Sequence, residues 1–147
     1  HAYQRDGTAK IHKVDPPTRM AGRRLIQLAN PHLDYAGVWT ANGARTIILE
    51  AKWTEDRRRL YINRPGGLTE TQWDNLHAWK KAGAAVAVIW GMSTGIKLVT
   101  TEIIEATLAA RDEASLRWCD AIPVQKGTGY VAHDILATLA ALTSAEK

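Results

Sequence analysis

Two carboxylates and an amine stand in the stretch PHLDYAGVWTANGARTIILEAKW, residues 31–53: Asp34, Glu50 and Lys52. Glu50 and Lys52 are two apart, so on a strand they share a face. Asp34 joins them only if the chain reverses in between. Asn42-Gly43 supplies the reversal, because both residues tolerate positive φ. β-Favouring side chains flank it: Leu33, Tyr35, Val38 and Trp39 before, Ile47, Ile48 and Leu49 after. A three-residue loop at Ala41-Asn42-Gly43 pairs Thr40 with Ala44 and, counted outward, brings Asp34 opposite Glu50. A two-residue loop shifts the pairing by one and separates them. The first register is preferred because it gathers one polar cluster at the end of an apolar hairpin.

Opposed carboxylates with Cβ atoms ~5 Å apart repel and raise each other's pKa. A fold accepts this when a cation compensates. Hard oxygen ligands in this number suit Mg²⁺, and the same set accepts Mn²⁺. Lys52 beside such an ion would steady charge developing on a phosphorane, or orient the attacking water. The plainer alternative is a surface ion pair between Lys52 and either carboxylate, worth little. The strong hairpin signal and the Ile47-Ile48-Leu49 run weigh against it.

The elements that must position these groups follow from pattern. Residues 1–7 read as the end of a helix stopping at Gly7, with its start expected upstream. Residues 8–14 read as a short strand with basic alternation, left at Pro16-Pro17. Residues 18–30 hold Arg19, Arg23 and Arg24 in a loop or a small projecting ribbon, with phosphate contact and plain solvation as equal readings. Arg57, Arg58 and Arg59 follow the Glu50/Lys52 end directly, where a phosphate-binding surface or a solvated turn would fall, and residues 63–67 read as a flexible loop. Residues 69–83 are predicted helical, with Thr69 as N-cap, Gln72 three residues on as in a capping box, and Gly83 as the stop. Gln72 has two readings, a capping side chain or one pointing at the carboxylates. Lys80 and Lys81 suit the C-terminal end of the helix dipole. Residues 84–90 form a continuous apolar run expected as a central strand covered on both faces. A turn over 91–95, a strand over 96–100 and a helix over 101–110 follow. Residues 111–119 are ambiguous and 120–130 read as loop. A last helix over 133–142 carries Ile135, Leu136, Leu139 and Leu142 at helical spacing, with His133 as a capping or surface residue rather than a ligand. The order implies an α/β class, a mixed central sheet flanked by helices.

Composition bounds the rest. The 147 residues, 46% hydrophobic, fit a single domain with a real core. No run reaches the ~18 apolar residues of a membrane span, and with no charged start followed by an apolar core a signal peptide is not expected. Cys119 is the sole cysteine, which excludes a disulfide framework and argues against a thiol-rich metal site. A cytoplasmic setting is expected. The net charge of +4 and isoelectric point near 9.4 fit a polyanionic partner.

The ordered series of motifs resembles the PD-(D/E)xK nuclease superfamily, and within it the RecU-type Holliday-junction resolvases of Gram-positive bacteria and their phages. Ile11-His12-Lys13 with Pro17-Thr18 resembles that family's first strand and exit. Asp34-Tyr35-Ala36-Gly37 resembles its DY-x-G segment, Glu50-Ala51-Lys52 its EAK core with Thr54 just after, and Gln72 its helix glutamine. Residues 85–91 resemble its buried strand; Ser115-Leu116-Arg117 and residues 129–136 resemble its C-terminal end more faintly.

The resemblance implies a restriction-endonuclease-like core and an Mg²⁺- or Mn²⁺-dependent endonuclease. It would act as a homodimer that nicks four-way DNA junctions symmetrically, since a two-fold dimer matches a two-fold junction. Asp34, Glu50 and the Ala51 carbonyl would bind metal, Lys52 would activate water and stabilise charge, and Gln72 would order the site. His12, Lys13, Arg19, Arg23, Arg24, His32, Arg57, Arg58, Arg59 and Arg64 would contact DNA. The chain departs from the family at His32, where a hydroxyl residue is usual, in the short stalk interval 16–31, and in the small remnant of the N-terminal helix. A restriction-like or other branched-DNA nuclease on the same fold, and a non-catalytic DNA-binding module, are the competing expectations.

Overall fold

The computed structural model describes residues 9–15, 18–27, 33–40, 43, 45–55, 58–64, 66–110, 115–127 and 133–144. The fold is built on the hairpin. Strand β4 (Tyr35–Trp39) pairs antiparallel with β5 (Arg45–Trp53), and its register runs from Trp39 opposite Arg45 to Tyr35 opposite Leu49. One further step along that register sets Asp34 opposite Glu50, as the three-residue loop requires. Of the loop, Gly43 is described, at φ 94°. Strand β1 (Ala9–Lys13) lies antiparallel on the other edge of β4, and the Val14 N–H donates to the Asp34 carbonyl at 2.8 Å. Gly37 permits this approach: a Cβ there would stand 2.1 Å from the Lys10 carbonyl oxygen, so no side chain fits without parting β1 from β4.

Between β1 and β4 the ribbon alternative holds. Strands β2 (Thr18–Ala21) and β3 (Arg24–Gln27) form a two-stranded antiparallel unit around Gly22, whose φ of 63° a glycine adopts freely. After β5, β6 (Arg59–Tyr61) leads to helix α1 (Glu70–Lys81) and to β7 (Ala85–Met92). β7 lies parallel to β5, with Glu50 beside Val88 and Lys52 beside Trp90. β8 (Gly95–Val99) returns antiparallel to it, followed by α2 (Thr101–Ala110).

Short strands stand in the ambiguous 111–119 region and in the 120–130 region read as loop. β9 (Ser115–Arg117) pairs with β6, and β10 (Ile122–Pro123) adds the last edge to β8 after a 3₁₀ turn at Trp118–Asp120. β11 (Gln125–Lys126) pairs with β12 (His133–Asp134), which leads into α3 (Ile135–Ser144). The cap of α3 is Asp134, whose Oδ1 accepts from the Ala137 N–H at 2.9 Å; the capping reading of His133 is corrected to its neighbour. The main sheet therefore runs β1-β4-β5-β7-β8-β10, mixed, with helices on both faces.

Alternation divides the core in two. Ile48, Val86, Val88 and Trp90 face Trp73 and Leu76 of α1 and Ile104 of α2. Trp39, Ile47, Leu49, Ala85, Ala87 and Leu98 face Leu136 and Leu139 of α3. β7 is apolar on both faces because both are covered. Among the described residues no helix is long and apolar enough to cross a membrane.

Candidate active site

β5 runs four residues beyond its last pair with β4, from Glu50 to Trp53. Among the described residues this overhang leaves the Ala51 N–H without a strand partner on that edge. The Asp34 carboxylate takes the place of the strand, its Oδ2 accepting from the Ala51 N–H at 2.8 Å. Because N–H and C=O of one strand residue point to the same edge, the Ala51 carbonyl also faces the Asp34 side.

Glu50 belongs to the α1 face, in line with Ile48, and is 1% exposed. Its Oε1 accepts from Lys52 Nζ at 3.0 Å, and Gln72 Nε2 donates to the same oxygen. Among the described residues its buried Oε2 has no hydrogen-bond partner. Burial pushes the Glu50 carboxyl above its ordinary value; the Lys52 hydrogen bond and charge oppose this, the Asp34 charge adds to it, and the Asp34 backbone N–H relieves it slightly. An ionised carboxylate with one oxygen orphaned in the interior is costly unless a further positive partner arrives.

Gln72 fulfils both readings at once. Thr69 caps α1, its Oγ1 accepting from the Gln72 N–H at 3.3 Å, while the Thr69 N–H donates to Gln72 Oε1 at 3.1 Å. The amide nitrogen at the other end reaches Glu50.

Thr54 continues the alternation of Glu50 and Lys52 by one step, and this buried hydroxyl accepts from Trp90 Nε1 at 2.7 Å. Sequence reasoning placed it only as a neighbour of the EAK motif; the two-residue spacing was the available signal. Trp90 in turn meets Trp118 edge-on at 5.0 Å. Lys97 donates to the Trp118 carbonyl at 2.8 Å. Together these fix the strand end that carries Lys52.

Asp34, Glu50, Ala51, Lys52 and Gln72 are thus brought together. The basic residues are more scattered. His12 pairs with Ala36 and so shares the Glu50 face, whereas Lys13 pairs with Tyr35 on the opposite face; both are exposed. Arg23 is exposed at the turn of the β2–β3 ribbon, in which Arg19 pairs with Ile26 and Arg24 with Ala21. Arg58 is exposed, Arg59 reaches the Ser115 hydroxyl at 3.4 Å, and Arg64 lies 5.6 Å over the Tyr61 ring. His32 and Arg57 lie outside the described residues.

Among the described residues no set of three or more His, Cys, Asp or Glu side chains converges. The donor set is two carboxylates and a carbonyl, which fits a hard cation that keeps several waters better than a zinc ion held in a closed protein cage. The orphaned Glu50 Oε2 is the atom such a cation would satisfy. No family model matches the chain, nor does any curated protein.

Proposed function

We propose that the chain is a divalent-metal-dependent DNA endonuclease with a restriction-endonuclease-like core, of the RecU-type junction-resolving kind. The observation that carries the reading is Glu50: buried, with one oxygen orphaned and the other held by Lys52 and Gln72, across the overhang from Asp34. An inert surface ion pair has no use for this arrangement.

Glu50 Oε2, the Asp34 carboxylate and the Ala51 carbonyl would hold Mg²⁺ or Mn²⁺. When bound, the ion supplies Lewis-acid polarisation of the phosphate and a lowered pKa for water. The protein's own groups do the rest. Gln72 keeps Glu50 in one orientation. Lys52, 18% exposed at its side chain, offers an ammonium to the charge that builds on the phosphate oxygens. His12 lies on the same face and, with Arg23 at the ribbon turn, supplies basic groups for the DNA backbone. The β2–β3 ribbon stands between the first strand and the motif aspartate, the interval where junction resolvases carry a projecting stalk. A homodimer would present two such sites to the two opposed strands of a four-way junction.

The ribbon also favours a second reading. Four residues per strand span only ~14 Å, so a nuclease of broader branched-DNA or restriction-like specificity is the alternative.

Cleavage of a synthetic mobile four-way junction with Mg²⁺, beside duplex, flap and single-strand controls, tests both. Paired symmetric nicks in the junction alone are expected. Asp34→Asn, Glu50→Gln and Lys52→Ala should each lower the rate about a hundredfold or more. Equal cutting of duplex or flap would establish the second reading. Binding without cutting by folded, metal-supplied protein would leave a DNA-binding module and overturn the nuclease.

A further inference from the structure

We propose that Thr69 is a positioning residue of the carboxylate site: it aims the Gln72 amide at Glu50, although it touches neither Glu50 nor Asp34. For its consequence on cation binding, the inference rests on the reading above.

The argument starts from the two unlike ends of one amide. Gln72 Oε1 accepts from the Thr69 N–H, a group that can only donate. Gln72 Nε2 donates to Glu50 Oε1. Rotating the amide by half a turn would set NH₂ against N–H and a carbonyl against a carboxylate, unfavourable at both ends. The capping box therefore selects one orientation of the amide and makes it a donor toward Glu50. A second bond, from the Gln72 N–H to Thr69 Oγ1, fixes the first turn of α1 on which the side chain is mounted. Farther along, Trp73 and Leu76 bury the helix against the sheet.

Residue choice follows the same logic. A capping box accepts Glu or Gln at its third helical position. Only Gln offers a donor at the far end, so the site selects Gln72 within the set that the cap allows. Thr69 is exposed, and its place in the fold is explained by what it does to Gln72.

The test must separate aiming from stability, since losing a cap weakens any helix. Thr69→Ala keeps the backbone N–H but removes the Oγ1 bond that holds the first turn, and with it that N–H, against Gln72. It is compared with Ala78→Gly, an exposed position near the far end of α1 whose loss of helix propensity lowers the thermal midpoint to a similar extent. Thr69→Ser is the conservative rescue. Two readouts are taken on the full chain. The first is the Gln72 side-chain NH₂ pair by NMR without metal. It should be rigid in wild type, Thr69→Ser and Ala78→Gly, and mobile in Thr69→Ala. The second is Mn²⁺ affinity by calorimetry. It should fall about tenfold in Thr69→Ala, as for other outer-shell partners of metal ligands, and hold in Ala78→Gly and Thr69→Ser.

A rigid Gln72 amide in Thr69→Ala overturns the proposal. So does an Mn²⁺ affinity that falls equally in Ala78→Gly, or one that holds in Thr69→Ala while the amide loosens. If wild type binds no Mn²⁺, the metal-dependent reading fails on its own, and the NMR comparison alone decides whether Thr69 aims Gln72.

Discussion

Among the described residues, two Glu–Lys pairs are of nearly equal length and opposite character. Glu50 and Lys52 meet at 3.0 Å, with side chains 1% and 18% exposed. Glu102 of α2 and Lys80 of α1 meet at 2.8 Å, 48% and 35% exposed. The Glu50 carboxyl is pushed up from its ordinary value, burial being the largest cause. Burial also works against the charge on Glu102. There it loses to hydrogen bonds from Lys80, the Glu102 backbone and Thr100 and to the Lys80 charge, which together hold the carboxyl down. Distance cannot explain the difference. Desolvation can: the same partner at the same range outweighs a partial loss of water but not a nearly complete one. The first pair is buried, with one carboxylate oxygen unsatisfied among the described residues; the second is a strut between two helices.

The largest effect expected is the asymmetry on removing each lysine. Lys52→Met leaves a buried carboxylate with Gln72 as its remaining side-chain donor. Breaking a buried pair costs about 3–5 kcal/mol, and about 2–3 is expected here because Glu50 can escape by taking up a proton. Lys80→Met exposes nothing that water cannot reach and should cost less than about 0.5 kcal/mol. Urea unfolding at neutral pH with a chelator present measures both. Equal losses would mean that the Glu50 pair is solvated after all.

pH should divide the pairs by sign. Above the ordinary glutamate value of 4.5, an unfolded chain has released the Glu50 proton while the folded protein still retains it. The folded state then binds more protons, so stability falls as pH rises from 4.5 toward the raised folded pKa. Glu50→Gln removes that fall, and the variant gains on wild type through the window. Glu102 behaves oppositely. Its stabilisation is complete above 4.5 and is lost as pH drops through the lowered folded pKa, so Glu102→Gln flattens the acid limb only, and weakly, since the group is half exposed. Unfolding curves across pH, again without metal, distinguish the two. Parallel curves for the two variants would contradict the contrast.

How much of this was legible beforehand depends on how local the determinant is. The register that sets Asp34 opposite Glu50 follows from loop length, and the observed pairing agrees with the three-residue loop. The capping box follows from a three-residue spacing and is present with both bonds. β6 and β9 were illegible. They are three residues each, and they pair Arg59 with Arg117 and Tyr61 with Ser115 across more than fifty positions; segments that short carry no period. For the same reason a basic run read as a phosphate surface or a turn contains Arg59, a strand residue bonded to Ser115. The orphaned Glu50 oxygen was out of reach as well. Opposed carboxylates can be counted from sequence, but burial depends on α1 closing over β5, which is a tertiary event.

Salt gives the smallest effect and the sharpest control. At 1 M ionic strength the screening length is about 3 Å, comparable to either pair's separation. Screening nonetheless needs mobile ions to approach. They reach the half-exposed Lys80–Glu102 pair, together with the neighbouring His77–Glu105 contact at 3.4 Å between the same helices. They do not reach a carboxylate closed over by α1. The small penalty of Lys80→Met should therefore disappear in 1 M NaCl, while that of Lys52→Met should persist at most of its low-salt value. The comparison is made within each salt concentration, so the general effect of salt on hydrophobic burial cancels between wild type and variant. A Lys52→Met penalty that vanished with salt would place Glu50 in contact with bulk ions and remove the need for any further cation at its free oxygen.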